Sequence, residues 1–145
     1  MNSIHILHVE DSEADILLMQ DAMEELHLAH HIEVVRNGYE AIQFLEKKGD
    51  YQDKFTPDLI LLDINMPLMD GHELLEFIKK NPRTKHIPVL MLTTSSSQTD
   101  IMKSYQEYAN SYIVKPHNVD DFASVANAIE SFWMKVASLP ENLRY

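Results

Sequence analysis

Acidic and basic side chains follow several short apolar runs of this 145-residue chain. The run LILL ends in Asp63, and the run IHILHV ends in Glu10 and Asp11. Lys115 follows SYIV, the last such run. An aspartate can attack phosphorus and carry an acyl phosphate, and a lysine can pair with phosphoryl oxygens. These residue types would support phosphoryl transfer, provided that the fold brings them together.

The pattern of the chain predicts elements that would do so. Short runs rich in branched apolar residues alternate with segments of helical pattern, which is typical of βα units. We predict strands at 4–9, 31–35, 58–63, 87–93 and 111–114, and helices at about 12–27, 39–47, 70–81, 97–108 and from Asn118 onward. Strands this apolar indicate a parallel sheet covered by helices on both faces. We therefore expect an α/β fold, doubly wound, as one domain over residues 1–145.

The carboxyl ends of parallel strands lie along one edge of such a sheet, where ligands bind. That edge would collect three carboxylates, a group of hydroxyls and one lysine: Glu10, Asp11, Asp63, Thr93 to Ser95, and Lys115. Each residue alone fits an ordinary turn or helix cap. Together, the carboxylates repel one another by about 1 kcal/mol per pair at about 4 Å even in water, unless a cation or proton intervenes. Mg²⁺ would relieve this repulsion and leave Asp63 free to accept a phosphoryl group.

Composition excludes several other classes of function. The formal net charge is −11, which disfavours binding to nucleic acid and to anionic lipid. The chain has no cysteine, so disulfides and thiolate chemistry are excluded, and this fits a reducing cytosol. The first residues have no basic segment, and no apolar run is long enough to span a bilayer. We expect a cytoplasmic protein that binds neither nucleic acid nor membrane.

The spaced motifs resemble the receiver domain of two-component response regulators. The resemblance is carried by Glu10-Asp11, by DINMPLMDG from Asp63, by Thr93 after IPVLML, and by YIVKP through Lys115. It covers roughly residues 4–135. It implies a flavodoxin-like, CheY-like (βα)5 sheet with strand order 2-1-3-4-5, and a phosphoryl group taken from a sensor histidine kinase. It also implies a signalling switch and not an enzyme, because a receiver promotes only its own phosphorylation and dephosphorylation.

The resemblance assigns roles in the pocket by position. Asp63 would be the phosphoryl acceptor. Asp11, Asp63 and the main-chain carbonyl of Asn65 would hold Mg²⁺ (or Mn²⁺), and Glu10 would act mostly through water. Lys115 would pair with the phosphoryl oxygens.

It also implies a switch. The Thr93 hydroxyl would turn toward the phosphate and Tyr112 would swing inward, which would change the surface of the fourth helix, fifth strand and fifth helix. Asn65 and Ser95 would tune the lifetime of the phosphate. Asn110 stands where receivers carry Gly-Ala, and we expect it to take the left-handed conformation. His8 we interpret as a satisfied strand histidine.

The end of the chain indicates which kind of receiver this sequence resembles most. SFWMKVASLPENLRY continues the last helix, so that helix and tail extend over about 130–145. With the long loop before the third strand and LTTSS after the fourth, this resembles the stand-alone regulators paired with phytochrome kinases. Those commonly form homodimers through the face of the fourth helix, fifth strand and fifth helix. Phe132 and Trp133 would suit dimer anchors, since one side of a helix cannot easily bury both; alternatively, they close the monomer's core.

The residues leave two other functions open. A phosphohydrolase of the haloacid-dehalogenase type also uses an aspartate nucleophile and Mg²⁺. That family needs a second aspartate two positions after the first, where this chain has Asn65, and it usually has a cap domain. A pseudo-receiver would bind partners constitutively without phosphate, but it would normally have lost part of the acid pocket or the lysine.

Overall fold

The structure is a computed structural model that describes residues 3–141, over which five strands alternate with five α-helices. The strands are β1 (Ile4–Val9), β2 (His30–Val35), β3 (Leu59–Leu62), β4 (Val89–Thr93) and β5 (Ser111–Val114). The helices are α1 (Glu13–Glu24), α2 (Gly38–Leu45), α3 (Gly71–Lys80), α4 (Gln98–Gln106) and α5 (Val119–Ile129). A short 3₁₀ turn, Gly49–Tyr51, lies in the loop before β3. Residues 142–145, the end of the predicted tail, lie outside the described residues.

The five strands form one parallel sheet in the order β2-β1-β3-β4-β5, which confirms the predicted fold class and topology. Strands β1 and β3 end level with each other, because Val9 pairs with Leu62. Glu10 and Asp63 therefore follow at the same edge of the sheet. On the other side, the Lys115 amide donates to the Thr93 carbonyl at 2.7 Å, which brings the end of β5 to the same edge.

The core consists of two layers, one on each face of the sheet. Helices α2 and α3 pack on one face, and α1 and α5 pack on the other. Strand β3 contributes to both layers: Ile60 and Leu62 face the first, and Leu59 and Leu61 face the second. This double burial explains why the LILL run shows no alternation of polar and apolar residues.

Each of the five helices begins with a side chain that accepts a hydrogen bond from its first turn. The caps are Ser12, Asn37, Asp70, Ser97 and Asn118. A cap of this kind stabilises a helix by about 1 kcal/mol. Since each helix follows a strand along the chain, the caps also fix the ends of the loops at the edge where the charged residues meet.

The chain remains helical beyond α5, as a wider π-helical segment from Glu130 to Val136. The buried Glu130 carboxylate accepts hydrogen bonds from the amides of His27 and Leu28, at 2.8 and 2.9 Å, and so attaches this segment to the loop between α1 and β2. Phe132 is 52% exposed, whereas Trp133 packs partly against the core layer of α1 and α5. Of the two predicted anchors, Phe132 is therefore the more accessible.

The expectation for Asn110 is wrong in its backbone. Tyr108 takes the left-handed conformation, with φ of 73°, and Asn110 is absent from the residues with positive φ. Asn110 acts through its side chain: Oδ1 accepts from the Val89 amide at 2.9 Å and from Lys79 Nζ at 3.2 Å.

Over residues 3–141, every helix is too short or too polar to cross a bilayer.

Candidate functional site

Three carboxylates converge where β1 and β3 end. Glu10, Asp11 and Asp63 each offer an oxygen, and these oxygens all lie within 4.8 Å of one another. Glu10 and Asp63 are buried, while Asp11 is exposed at the mouth. Hard oxygen donors in an open corner match the needs of Mg²⁺ or Mn²⁺, which also keep water ligands. The predicted acid cluster is thus present as a geometric unit, and its donors fit a divalent cation.

Lys115 lies among these acids and is almost completely buried. Its Nζ donates to Glu10 Oε2 at 2.6 Å, to Asp15 Oδ2 at 2.8 Å and to Asp63 Oδ2 at 3.0 Å. Burial alone would lower the pKa of Lys115, but the hydrogen bonds to Asp15 and Glu10 and the charge of Asp63 raise it. Lys115 is therefore a fixed cation at neutral pH, in direct contact with the predicted acceptor.

Glu10 is buried at the back of the cluster and has a raised pKa. Burial, with the nearby Asp63 carboxylate, raises the pKa of Glu10 to about 7, against the opposing hydrogen bond from Lys115. Its other oxygen, Oε1, accepts from the Ser12 amide at 3.1 Å. Glu10 thus contacts protein groups directly, in addition to any contact through water.

The loop after Asp63 is held close to α3. The Asn65 amide donates to Asp63 Oδ1 at 3.4 Å, and Asn65 itself is exposed. The Gly71 amide donates to the Ile64 carbonyl at 2.8 Å. A Cβ on Gly71 would lie 2.2 Å from the Asp63 carbonyl oxygen, so the approach requires glycine. The Asp70-Gly71 pair therefore both begins α3 and sets the position of the acceptor's main chain.

The predicted switch residues meet at the loop after β4. Thr93 is fully buried, and its Oγ1 accepts from the Ser95 amide at 3.4 Å. The hydroxyl of Tyr112, on β5, donates to the Ser95 carbonyl at 2.9 Å, and the Tyr112 ring packs partly against the core layer of α2 and α3. Thr93, Ser95 and Tyr112 are thus joined through Ser95 as one unit.

Sequence reasoning missed the partners that hold this unit. Asp100, on α4, accepts from the Ser95 hydroxyl at 2.6 Å, and its other oxygen lies 3.2 Å from Nε2 of the buried His72 on α3. The hydrogen bonds from Ser95 and His72 lower the pKa of Asp100. Asp15 was also missed as a pocket residue, because an acid in the first turn of a helix already has a local explanation in the helix dipole.

His8 lies on β1, beneath the pocket, and the interpretation of it as satisfied is wrong. Its Nδ1 is buried and has no hydrogen-bond partner among residues 3–141. Burial, with the charge of Lys115, lowers the pKa of His8 to about 4. The imidazole is therefore neutral at pH 7.

Comparison with known proteins agrees with this geometry. The family model of the response regulator receiver domain matches residues 6–127. The chain belongs to this family. Response regulator Rcp1 of Synechocystis sp. is 42% identical to this receiver over 135 residues, which cover 93% of this chain and 92% of Rcp1.

Solved structures give the same result. The phosphorylated cyanobacterial phytochrome response regulator RcpA superposes with a TM-score of 0.92 at 41% identity, covering 97% of this chain and 100% of RcpA. The Mn²⁺-bound form of Rcp1 superposes with a TM-score of 0.89 at 41% identity, over 95% of this chain and 99% of Rcp1. The predicted resemblance to receivers of the phytochrome-associated type is thus confirmed.

Proposed function

We propose that this receiver is a phosphorylation-controlled switch in which Asp63 accepts a phosphoryl group from a sensor histidine kinase, with Mg²⁺ (or Mn²⁺) as cofactor. The observation that carries the proposal is the contact of Lys115 Nζ with Asp63 Oδ2 at 3.0 Å, within a cluster of three carboxylates. A carboxylate nucleophile beside a fixed cation provides what phosphoryl transfer chiefly needs, namely positioning and neutralisation of charge.

Each pocket residue has a distinct part in this proposal. An Asp63 oxygen forms the new bond to phosphorus as the bond from phosphorus to the kinase histidine breaks. Lys115 donates to a phosphoryl oxygen. Asp11, Asp63 and the Asn65 carbonyl would hold the cation, with Glu10 behind them, and the cation would neutralise phosphoryl charge. Rcp1 has been solved in a Mn²⁺-bound form, which supports a divalent cation here.

The buried Thr93 and the Ser95–Tyr112 hydrogen bond support a switch at the loop after β4. When Thr93 turns toward the phosphoryl group, Ser95 and Tyr112 must adjust with it, since all three are joined. Residues Asn65 and Ser95, at the mouth of the pocket, would set the access of water and hence the lifetime of the phosphate. The change would reach the surface through α4, β5 and α5.

Two partners follow from the same proposal. The kinase would be of the phytochrome type; this is supported by the 41% identity to RcpA, a phytochrome response regulator, over 97% of this chain. A second copy of this receiver would bind at the face of α4, β5 and α5. Large apolar side chains are exposed on these elements or directly after them in the chain: Met102, Tyr105, Tyr108, Val114 and Phe132. Phe132 would be the main anchor, with Trp133 behind it.

The alternatives have less support. A phosphohydrolase would need an acid where the exposed Asn65 stands, and a constitutive pseudo-receiver would not need the complete set of acids and lysine. We therefore propose a non-enzymatic role. The lack of cysteine fits a reducing compartment, and we propose that the protein acts in the cytoplasm.

The test is intact mass after incubation with acetyl phosphate and Mg²⁺. We expect wild type and the exposed control Asp21→Asn to gain one base-labile phosphoryl group, and Asp63→Asn to gain none. Light scattering of the same samples would show whether phosphate shifts the dimer, and Phe132→Ala should weaken any dimer. No adduct on wild type, even with its kinase supplied, would refute the proposal and favour the pseudo-receiver.

A further inference from the structure

Asp15 gives the pocket a carboxylate that comes from a helix and not from a strand end. Its amide donates to Ser12 Oγ at 3.3 Å, which fixes the residue in the first turn of α1. Its Oδ2 accepts from Lys115 Nζ at 2.8 Å. The Asp15 side chain is 25% exposed and that of Lys115 only 3%, so Asp15 reaches the lysine from the open side of the pocket.

The contacts of Lys115 use all of its donors. An ammonium group has three N–H bonds, and Glu10, Asp15 and Asp63 each accept one. A phosphoryl oxygen on Asp63 can therefore bind Lys115 only by displacing one of these carboxylates. Glu10 and Asp63 belong to the cluster that fits a cation, and Asp15 is outside that cluster.

We propose that Asp15 is a positioning residue that controls how far the Lys115 ammonium binds the cation ligands and how far it binds the phosphoryl group. This inference rests on the proposed function of Asp63. Before phosphorylation, Asp15 draws the ammonium toward α1 and so leaves oxygens of Glu10 and Asp63 to the cation. During phosphorylation, Asp15 competes with the phosphoryl oxygens for the same ammonium, and its negative charge opposes the incoming phosphate.

The two effects give the variant Asp15→Asn an unusual signature. The amide keeps the size of the side chain but removes its charge and weakens its hold on Lys115. Lys115 then hydrogen-bonds mainly to Glu10 and Asp63. Because these oxygens are then less available to the cation, Mg²⁺ should bind more weakly. With Mg²⁺ at saturation, Lys115 is free to bind the phosphoryl group, so Asp63 should be phosphorylated faster. General damage to the pocket would instead lower both quantities.

Glu13→Gln is the matched control. Glu13 lies in the same first turn of α1, is exposed, and contacts Arg36 and not Lys115. Its substitution removes the same charge from the same helix end. Opposite changes in Mg²⁺ binding and phosphorylation rate for Asp15→Asn, set against Glu13→Gln, therefore report the contact with Lys115, because a simple loss of charge at this helix end applies to both variants.

The experiment has two readouts. Calorimetry of Mg²⁺ binding without a phosphoryl donor should give about three- to fivefold weaker binding for Asp15→Asn than for Glu13→Gln, the size expected of one partly exposed ion pair. Intact mass at saturating Mg²⁺ and fixed acetyl phosphate should give phosphorylation of Asp63 that is faster by about the same factor. Asp15→Ala should exceed Asp15→Asn in both effects, because asparagine still accepts a hydrogen bond.

Equal values for Asp15→Asn and Glu13→Gln in both readouts would overturn the inference. So would a loss in both, which would assign Asp15 a merely structural role. If wild type takes up no phosphoryl group, the proposed function fails, and the Mg²⁺ comparison alone decides whether Asp15 positions Lys115.

Discussion

Gly71 provides a direct test of how the fold positions the acceptor. A Cβ at this position would lie 2.2 Å from the Asp63 carbonyl oxygen and 2.7 Å from the Ile64 Cα, well inside ordinary contact. Both are main-chain atoms, which cannot rotate away as a side chain can. Gly71→Ala must therefore move the end of β3 away from the start of α3. We expect it to lower the free energy of unfolding by about 3 kcal/mol, at the upper end for overpacking, and to slow phosphorylation of Asp63.

Urea unfolding followed by circular dichroism would measure the first effect, and intact mass over time the second. Gly38→Ala is the milder comparison, because the nearest atoms to its Cβ would be Sδ, Cγ and Cβ of Met69, at 2.7 to 2.9 Å, and none of these is a main-chain atom. Met69 Sδ and Cγ can rotate away, but its Cβ moves only with the main chain. We therefore expect a loss of about 1–2 kcal/mol, smaller than for Gly71→Ala, and a normal rate of phosphorylation. If Gly71→Ala behaves like Gly38→Ala, the main-chain contact does not hold the acceptor in place, and the reasoning is refuted.

Three further predictions concern other buried polar groups. His8 takes a proton near pH 6.5 when unfolded and near 4 when folded, so its contribution to stability is complete above about 6.5 and is lost as the pH falls toward 4. The loss in free energy of unfolding should reach about 3 kcal/mol, measured by comparing how the stability of wild type and of His8→Met changes with pH. If the two curves run parallel, the prediction is wrong. Asn110→Ala should cost about 1–2 kcal/mol in urea unfolding by leaving the Val89 amide without an acceptor, and Asn110→Asp should not. Glu130→Ala should cost about 2 kcal/mol because two amides lose their acceptor, while Glu130→Gln retains most of the stability; equal losses would show that charge matters more than the hydrogen bonds.

The sequence predicted the sheet and the acid cluster because both depend on short-range patterns. A run such as LILL, buried on both faces, can be identified from its composition alone, and parallel strands necessarily end at one edge. The positions of Asp63, Glu10 and Lys115 at the ends of such runs then imply that they meet. The limits of the elements differ by a few residues: β4 begins at Val89, although a strand from 87 was expected.

The contacts made between helices could not be predicted in this way. The hydrogen bond between His72 and Asp100 depends on how α3 and α4 pack, and that of Asp15 with Lys115 depends on how α1 lies across the end of β5. Each of these residues also has a local explanation, as a first-turn acid or a helix surface residue, which hides its tertiary role. Asn110 shows the same limit, since its side chain caps β4 while Tyr108 makes the left-handed turn.

The balance of charge in the pocket explains why a cation and phosphorylation should depend on each other. Three carboxylates, those of Glu10, Asp15 and Asp63, contact the ammonium of Lys115, and Asp11 adds a fourth beside Glu10 and Asp63. Burial, together with the Asp63 carboxylate, raises the pKa of Glu10 to about 7, so this acid can hold a proton near neutral pH. A phosphoryl group adds further negative charge, and Lys115 can bind it only by releasing one of the three carboxylates that it contacts. A divalent cation can offset this charge, so we expect the receiver to accept phosphate only when the cation is bound, and proton release from Glu10 to favour its binding.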